Sequence, residues 1–206
     1  MNERNEKWIV LDIDGTLSMT IDTDEYNSLE SNIQKYFSKI VYEPYQNKDI
    51  TREAWVMPRP HLSEFLNYCF EHYHVGIWSI GQPSYVSAVV KYLFTDYEPI
   101  FIYNFTNCER NFKDGIRFTK PLSKSPAKGG IIIEDNLDVV DHLDKHIIIQ
   151  SFDLYCSNSD DNSDDNISED NIFDEHSIEY NQGDFDILIN DDCLISLIHL
   201  LKITES

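Results

Sequence analysis

Two aspartates separated by one residue, Asp12 and Asp14, stand at the end of the apolar run Trp8-Ile9-Val10-Leu11 and are followed at once by Gly15. On an extended strand residues i and i+2 share a face, so both carboxyls point the same way, and glycine lets the chain turn sharply just beyond them. Two like charges this close repel, so the pair calls for a cation such as Mg²⁺ or for one carboxyl to keep its proton. Either state serves bond-making chemistry. A solvated strand end is the plainer reading, and a two-residue match does not by itself separate the two.

The run Ile131-Ile132-Ile133 repeats the design, ending in Glu134, Asp135 and Asn136. Two buried parallel strands that both end in oxygen ligands can meet at one carboxyl edge of a sheet, where open α/β folds hold their ligands. A third strand-like run, His74 to Trp78, ends in Ser79 and is followed by Gly81 and Pro83. A hydroxyl and a flexible turn ahead of a helix suit an anion, although a serine that merely closes a strand is the more ordinary outcome. The histidines His61, His72, His74, His142 and His146 have no metal-ligand spacing. Cys69, Cys108, Cys156 and Cys193 form no Cys-x-x-Cys pair, and we read them as thiols without a zinc site or a disulfide framework.

These residues need elements to hold them. Tyr26, Leu29, Ile33, Tyr36, Phe37 and Ile40 recur every three to four residues, which predicts an amphipathic helix over 22–40, capped around Asp22 to Asp24. Ala54 to Met57 reads as a strand stopped by Pro58-Arg59-Pro60. Helical faces follow in Leu62, Phe65, Leu66, Cys69 and Phe70, and in Val86, Val89, Val90 and Leu93. Ile100 to Phe105 and Ile116 to Phe118 read as β pieces of a small hairpin excursion, 123–130 as a loop, Leu137 to Leu143 as a helix and His146 to Gln150 as a strand. Residues 191–203 read as a terminal helix docking on the core. The whole predicts an α/β chain: one domain over 1–206 with a parallel sheet flanked by helices and a small β-hairpin insertion.

Composition limits the partners. With 37 acidic against 16 basic residues and a formal charge of -21, the chain is poorly suited to a phosphate backbone, which is bound by lysine and arginine clusters. No Lys or Arg occurs between Lys145 and Lys202, and 157–170 is almost wholly Ser, Asn, Asp and Glu. Such a tract cannot bury enough apolar surface to offset its ordering entropy, and we expect a disordered acidic insertion over 157–182. The start lacks an apolar signal-peptide stretch, and no run is long enough to span a bilayer, so the expectation is an intracellular soluble protein, nuclear or cytoplasmic.

In chain order, Asp12-Ile13-Asp14-Gly15-Thr16, Ser79, Lys120 and Asp135-Asn136 together resemble the haloacid dehalogenase phosphotransferase superfamily. Val56-Met57-Pro58-Arg59-Pro60-His61-Leu62, Ile77-Trp78-Ser79 and Lys120-Pro121-Leu122-Ser123 are more closely similar to its NLI-interacting-factor-like branch, the small C-terminal-domain phosphatases that dephosphorylate serine in the tail of RNA polymerase II. The resemblance spans nearly the whole chain outside 22–40 and the acidic tract. It implies a haloacid-dehalogenase-like Rossmannoid fold and a Mg²⁺-dependent phosphoserine/phosphothreonine protein phosphatase. Asp12 would be the nucleophile, passing through an aspartyl-phosphate. Asp14 would be the general acid and base, with Ser79 and Lys120 as phosphate binders. Asp12, Asp14 through its carbonyl, and Asp135 or Asn136 would hold the metal. Lys124 and Lys128 are alternatives to Lys120 by a slip of register. Ser79 stands where the branch more often has threonine, and both carry a hydroxyl. A phosphorylated protein or peptide is the implied partner, with no membrane and no nucleic acid. Two other readings stay open: a binding module that keeps the fold without turnover, and a nucleic-acid end phosphatase.

Overall fold

The computed structural model describes residues 7–44, 50–111, 117–139, 146–153 and 182–205. Its centre is a five-stranded sheet of β1 (Trp8–Leu11), β5 (His74–Trp78), β6 (Phe101–Tyr103), β9 (Ile131–Glu134) and β10 (His146–Ile148), in the order β10-β9-β1-β5-β6. Every pairing in it is parallel, and β1 lies in the middle with Leu11 opposite Ile77 on one side and Ile133 on the other. A strand with neighbours on both edges and helices on its faces needs apolar side chains in both directions, which is why β1 reads as an unbroken apolar run. Ile9 and Leu11 enter the larger core with α3 (Leu62–His72), α4 (Pro83–Leu93) and α6 (Cys193–Glu205), while Val10 turns to the opposite face with Trp78, Leu122, Ala127 and Ile132.

A second layer is grafted beside this sheet. β2 (Ser18–Ile21), β3 (Ser38–Tyr42) and β4 (Arg52–Pro58) form an antiparallel sheet in the order β2-β4-β3. Met19, Ile21, Leu29, Ile33, Phe37 and Met57 pack beneath it with Phe152, Phe185 and Leu188, the last two from α5 (Gln182–Ile189). The helix predicted over 22–40 is not continuous. Asp22 caps α1 (Thr23–Ser28) through a reciprocal box with Glu25, but Leu29 and Glu30 are extended, a single turn α2 (Ser31–Gln34) follows, and Ser38 to Tyr42 are β3. The three-to-four spacing is real, yet Leu29, Ile33 and Phe37 enter the small core while Ile40 enters the large one. β-Branched Ile40 and Val41 lie where pairing with Ala54 and Glu53 decides the backbone.

Two further readings change, and a third lies outside the described residues. Phe101 to Tyr103 is the edge of the parallel sheet, not an arm of a hairpin; the hairpin is β7 (Glu109–Asn111) with β8 (Arg117–Thr119). Leu137 to Val139 forms one 3-10 turn where a helix to Leu143 is predicted, and 140–145 lie outside the described residues. The acidic segment 157–182 also lies outside them except for Gln182, which opens α5, a helix the sequence reading does not anticipate. Among the described residues no helix is long and apolar enough to cross a membrane.

Candidate active site

The two aspartates leave the carboxyl end of the central strand as predicted. Asp12 is 5% exposed, and its backbone N–H continues the ladder to the Ile133 carbonyl at 3.1 Å. After it the chain folds into a tight loop in which the N–H groups of Leu17 and Ser18 both donate to the Ile13 carbonyl. Gly15 has φ +77°, a region in which side chains are strained, and a β-carbon there would lie 2.1 Å from Asp135 Oδ2 and 2.7 Å from Ser151 Oγ. Gly15→Ala is therefore expected to lower unfolding free energy by about 1–2 kcal/mol from backbone strain, and by more if Asp135 is displaced. Urea denaturation of wild type and variant checks it, and equal midpoints would refute it.

Lys120 reaches this strand end from beyond the hairpin. It is 1% exposed, and its Nζ lies 2.5 Å from both Asp12 Oδ1 and Glu134 Oε2. Burial depresses an ammonium, but here the charge of Asp12 and then that of Glu134 outweigh it, so Lys120 is held above its ordinary range. The Asp12 carboxyl is raised by burial, against the pull of Lys120. Glu134 is raised by burial and then by Asp12, again against Lys120. Two acids face one base, so the trio takes up a proton more readily than isolated carboxylates do. Lys124, one of the alternatives, is exposed on the 3-10 turn and pairs with Glu109.

Ser79 is 2% exposed at the end of β5, its Oγ accepting the Gly81 N–H at 2.9 Å. Asp135 Oδ1 is 3.5 Å from the Thr16 hydroxyl, and Asn136 Oδ1 accepts the Asp138 N–H at 2.9 Å. Asp12, Asp14, Ser79, Lys120, Asp135 and Asn136 all line one cleft of about 210 Å³. A second cavity of about 450 Å³ adjoins it, sharing Asp14 and Asp135 and walled by Met19 and Ile21 from the grafted layer and by Phe152 beyond β10. One oxygen from each of Asp12, Glu134 and Asp135 lies within 4.8 Å of the others. An all-oxygen, carboxylate-rich donor set fits a hard divalent cation such as Mg²⁺.

Four residues of this neighbourhood escape the sequence reading. Glu134 was visible as a strand-end acid, but nothing local ties it to Lys120. Tyr85 and Thr20 meet Asp14 from α4 and β2, with the Thr20 hydroxyl 3.2 Å from Asp14 Oδ1. Arg59, read as part of a proline-flanked stop and of the family motif but given no role, is 1% exposed and spends all five N–H donors. Nη1 donates to the carbonyls of Gly15 and Thr16, Nη2 to Gln150 O and Asp191 Oδ2, and Nε to Asp191 Oδ1 at 3.0 Å.

A parallel sheet with its acids at the carboxyl end of the middle strand, a capping layer inserted after that strand and a lysine entering from beyond a hairpin make this the haloacid dehalogenase fold. Solved structures of the RNA polymerase II CTD phosphatase Fcp1 share it. One matches at TM-score 0.58 with 16% identity over 75% of this chain and 44% of that one. The fission yeast enzyme bound to beryllium fluoride matches at 0.58 with 15% identity over the same shares. The profile of the NLI interacting factor-like phosphatases matches residues 7–171, and the chain belongs to that family. It is also 33% identical over 97 residues to the CTD phosphatase-like protein 355R of Invertebrate iridescent virus 3. That match takes in 46% of this chain and 48% of the relative, so the chain aligns with about half the length of the proteins it resembles.

Proposed function

We propose that this chain is a Mg²⁺-dependent protein serine/threonine phosphatase of the CTD phosphatase type. The observation that carries the reading is the convergence of Asp12, Asp14, Ser79, Lys120 and Asp135 on one cleft at the carboxyl end of the parallel sheet. Asp12 attacks phosphorus to give an aspartyl-phosphate, and Asp14 gives its proton to the departing serine or threonine oxygen. Asp14 then takes a proton from the water that releases phosphate, as reversibility requires. Lys120 neutralises Asp12 in the resting site and faces the phosphoryl oxygens in the complex, and Ser79 with the turn at Gly81 supplies hydrogen bonds to them. Asp12, Asp135 and the Asp14 carbonyl are the Mg²⁺ ligands we assign, since Asp12 and Asp135 place carboxylate oxygens within 4.8 Å of each other. When bound, the ion offsets the repulsion between carboxylate and phosphate. The adjoining larger cavity gives the residues flanking a phosphoserine somewhere to lie, which favours a phosphorylated peptide, the polymerase tail among them, over a small ester.

The test is hydrolysis of p-nitrophenyl phosphate with and without Mg²⁺, followed by a phosphopeptide array that includes tail repeats. Mg²⁺-dependent turnover is expected, and no hydrolysis of any ester would sink the reading. A pH dependence follows as well. Burial raises the Asp14 carboxyl to about 6, with hydrogen bonds from Tyr85 and Thr20 opposing and Asp12 reinforcing the rise. A proton donor must be protonated to act, so kcat/KM falls as pH rises through that value, by about tenfold per unit once well above it. Asp14→Asn removes that limb of the profile; a variant that keeps it would assign the limb to another group.

A further inference from the structure

Three elements meet at a single oxygen of Asp14. Tyr85, in the first turn of α4, places its hydroxyl in hydrogen-bond contact with Asp14 Oδ1 and 2.8 Å from Thr20 Oγ1. Thr20, on β2, donates to the same Asp14 Oδ1 at 3.2 Å. The phenol ring is fixed from outside this triangle, edge-on to Tyr42 with centroids 5.4 Å apart and pressed against Gly81, where a β-carbon would lie 2.7 Å from the ring. Burial, and then the charge of Asp14, hold the phenol protonated, so it is a donor and not a carrier.

We propose that Tyr85 and Thr20 are positioning residues that bind Asp14 Oδ1 and leave Oδ2 to exchange the proton with the leaving group and then with water. The inference rests on the phosphatase reading above and adds two residues to it. An oxygen already accepting from two hydroxyls is the poorer proton site, so the acid form carries its proton on Oδ2. In the first step the Asp12 O–P bond forms and the P–O(serine) bond breaks. The Oδ2 proton passes to the serine oxygen, and both hydroxyls stabilise the carboxylate left behind. In the second step a water oxygen attacks phosphorus, the Asp12 O–P bond breaks, and Oδ2 takes the water's proton. Neither hydroxyl gains or loses a proton. Without them the carboxyl is free to turn about χ2, and the donor is no longer held in line.

The test compares kcat/KM for p-nitrophenyl phosphate, whose leaving group needs little protonation, with phenyl phosphate, whose leaving group needs more. Both values are expected to fall in Tyr85→Phe and in Thr20→Val. The nitrophenyl-to-phenyl ratio should rise about tenfold in Tyr85→Phe, the loss of one hydrogen bond to a charged group, and less in Thr20→Val. In an Asp14→Asn background, Tyr85→Phe should add nothing to the ratio. An unchanged ratio in both single variants overturns the proposal, as does a rise that persists without the Asp14 carboxyl. If Tyr85→Phe does not fold, as judged by its thermal melt, Thr20→Val and its rescue by Thr20→Ser decide on the same ratio. A wild type that hydrolyses neither of these esters nor any peptide of the phosphopeptide array removes the phosphatase reading itself, whereas turnover with a flat ratio removes only this assignment.

Discussion

Asp12→Asn should abolish phosphatase turnover, by a factor on the order of 10⁵, while leaving the protein at least as stable as the wild type. The first half follows from the role proposed for Asp12: an amide oxygen does not displace an alkoxide at phosphorus, and the remaining groups have no bond to make. The second half follows from the charges around Lys120. That ammonium lies between Asp12 and Glu134, each almost wholly buried, so two carboxyls share one cation. Replacing Asp12 by a neutral isostere leaves a matched pair, Lys120 with Glu134, and removes the charge that, after burial, raises Glu134. The pairing of lost activity with retained or raised melting temperature is the diagnostic. A variant that still turns over would show that Asp12 is not the nucleophile; one that is inactive because it has unfolded would show that Lys120 and Glu134 do not form a self-sufficient pair.

Lys120→Met reverses the balance and should be costly on both counts. It strands Asp12 and Glu134 in a nearly dry site with no cation, and breaking a buried pair by removing one partner typically costs about 3–5 kcal/mol. Because it also removes the positive charge proposed to face the phosphoryl group, kcat should fall on the order of 10²–10³. The pH dependence has a definite sign. Carboxyls whose folded pKa lies above the unfolded value bind extra protons in the native state, so they favour folding below the unfolded pKa and lose that contribution as pH rises through the folded one. Without the lysine both acids are raised further, and the stability deficit of Lys120→Met should shrink on moving from about pH 8 to about pH 5. Urea midpoints of both proteins at the two pH values measure it; a deficit that grows on acidification would mean the two carboxyls are not coupled to this lysine.

How much of this was legible depended on whether the signal was local. β1, β5 and β9 announce themselves because strands buried on both faces are continuous apolar runs, and the acids or hydroxyl at their ends mark the sheet's carboxyl edge. All six residues singled out from sequence line the same cleft. The grafted layer was misread because Ser18 to Ile21 is too short and too polar to stand out, and because a three-to-four spacing between 26 and 40 is produced equally well by two short helices and a strand feeding two cores. The supporting residues were invisible for a different reason. Tyr85 meets Asp14 across 71 positions, Thr20 meets Tyr85 across 65, and Arg59 meets Asp191 across 132. No window of sequence contains such a pair, and the polar types involved are ordinary surface residues until the fold encloses them.

The Arg59 fork bears on the order in which the site is completed during synthesis. One side of the guanidinium holds the carbonyls of Gly15 and Thr16, directly after the two aspartates, and the other holds Asp191, whose side chain also accepts the N–H of Cys193 at the start of α6. A nascent chain that has emerged as far as β10 already carries Asp12, Asp14, Ser79, Lys120 and Asp135, but its Arg59 lacks the only carboxylate that pairs with it among the described residues. The loop behind Asp12 is thus latched by residues translated near the end of the described chain, and a ribosome-bound fragment holds all of these cleft residues before it holds the clasp that fixes the loop.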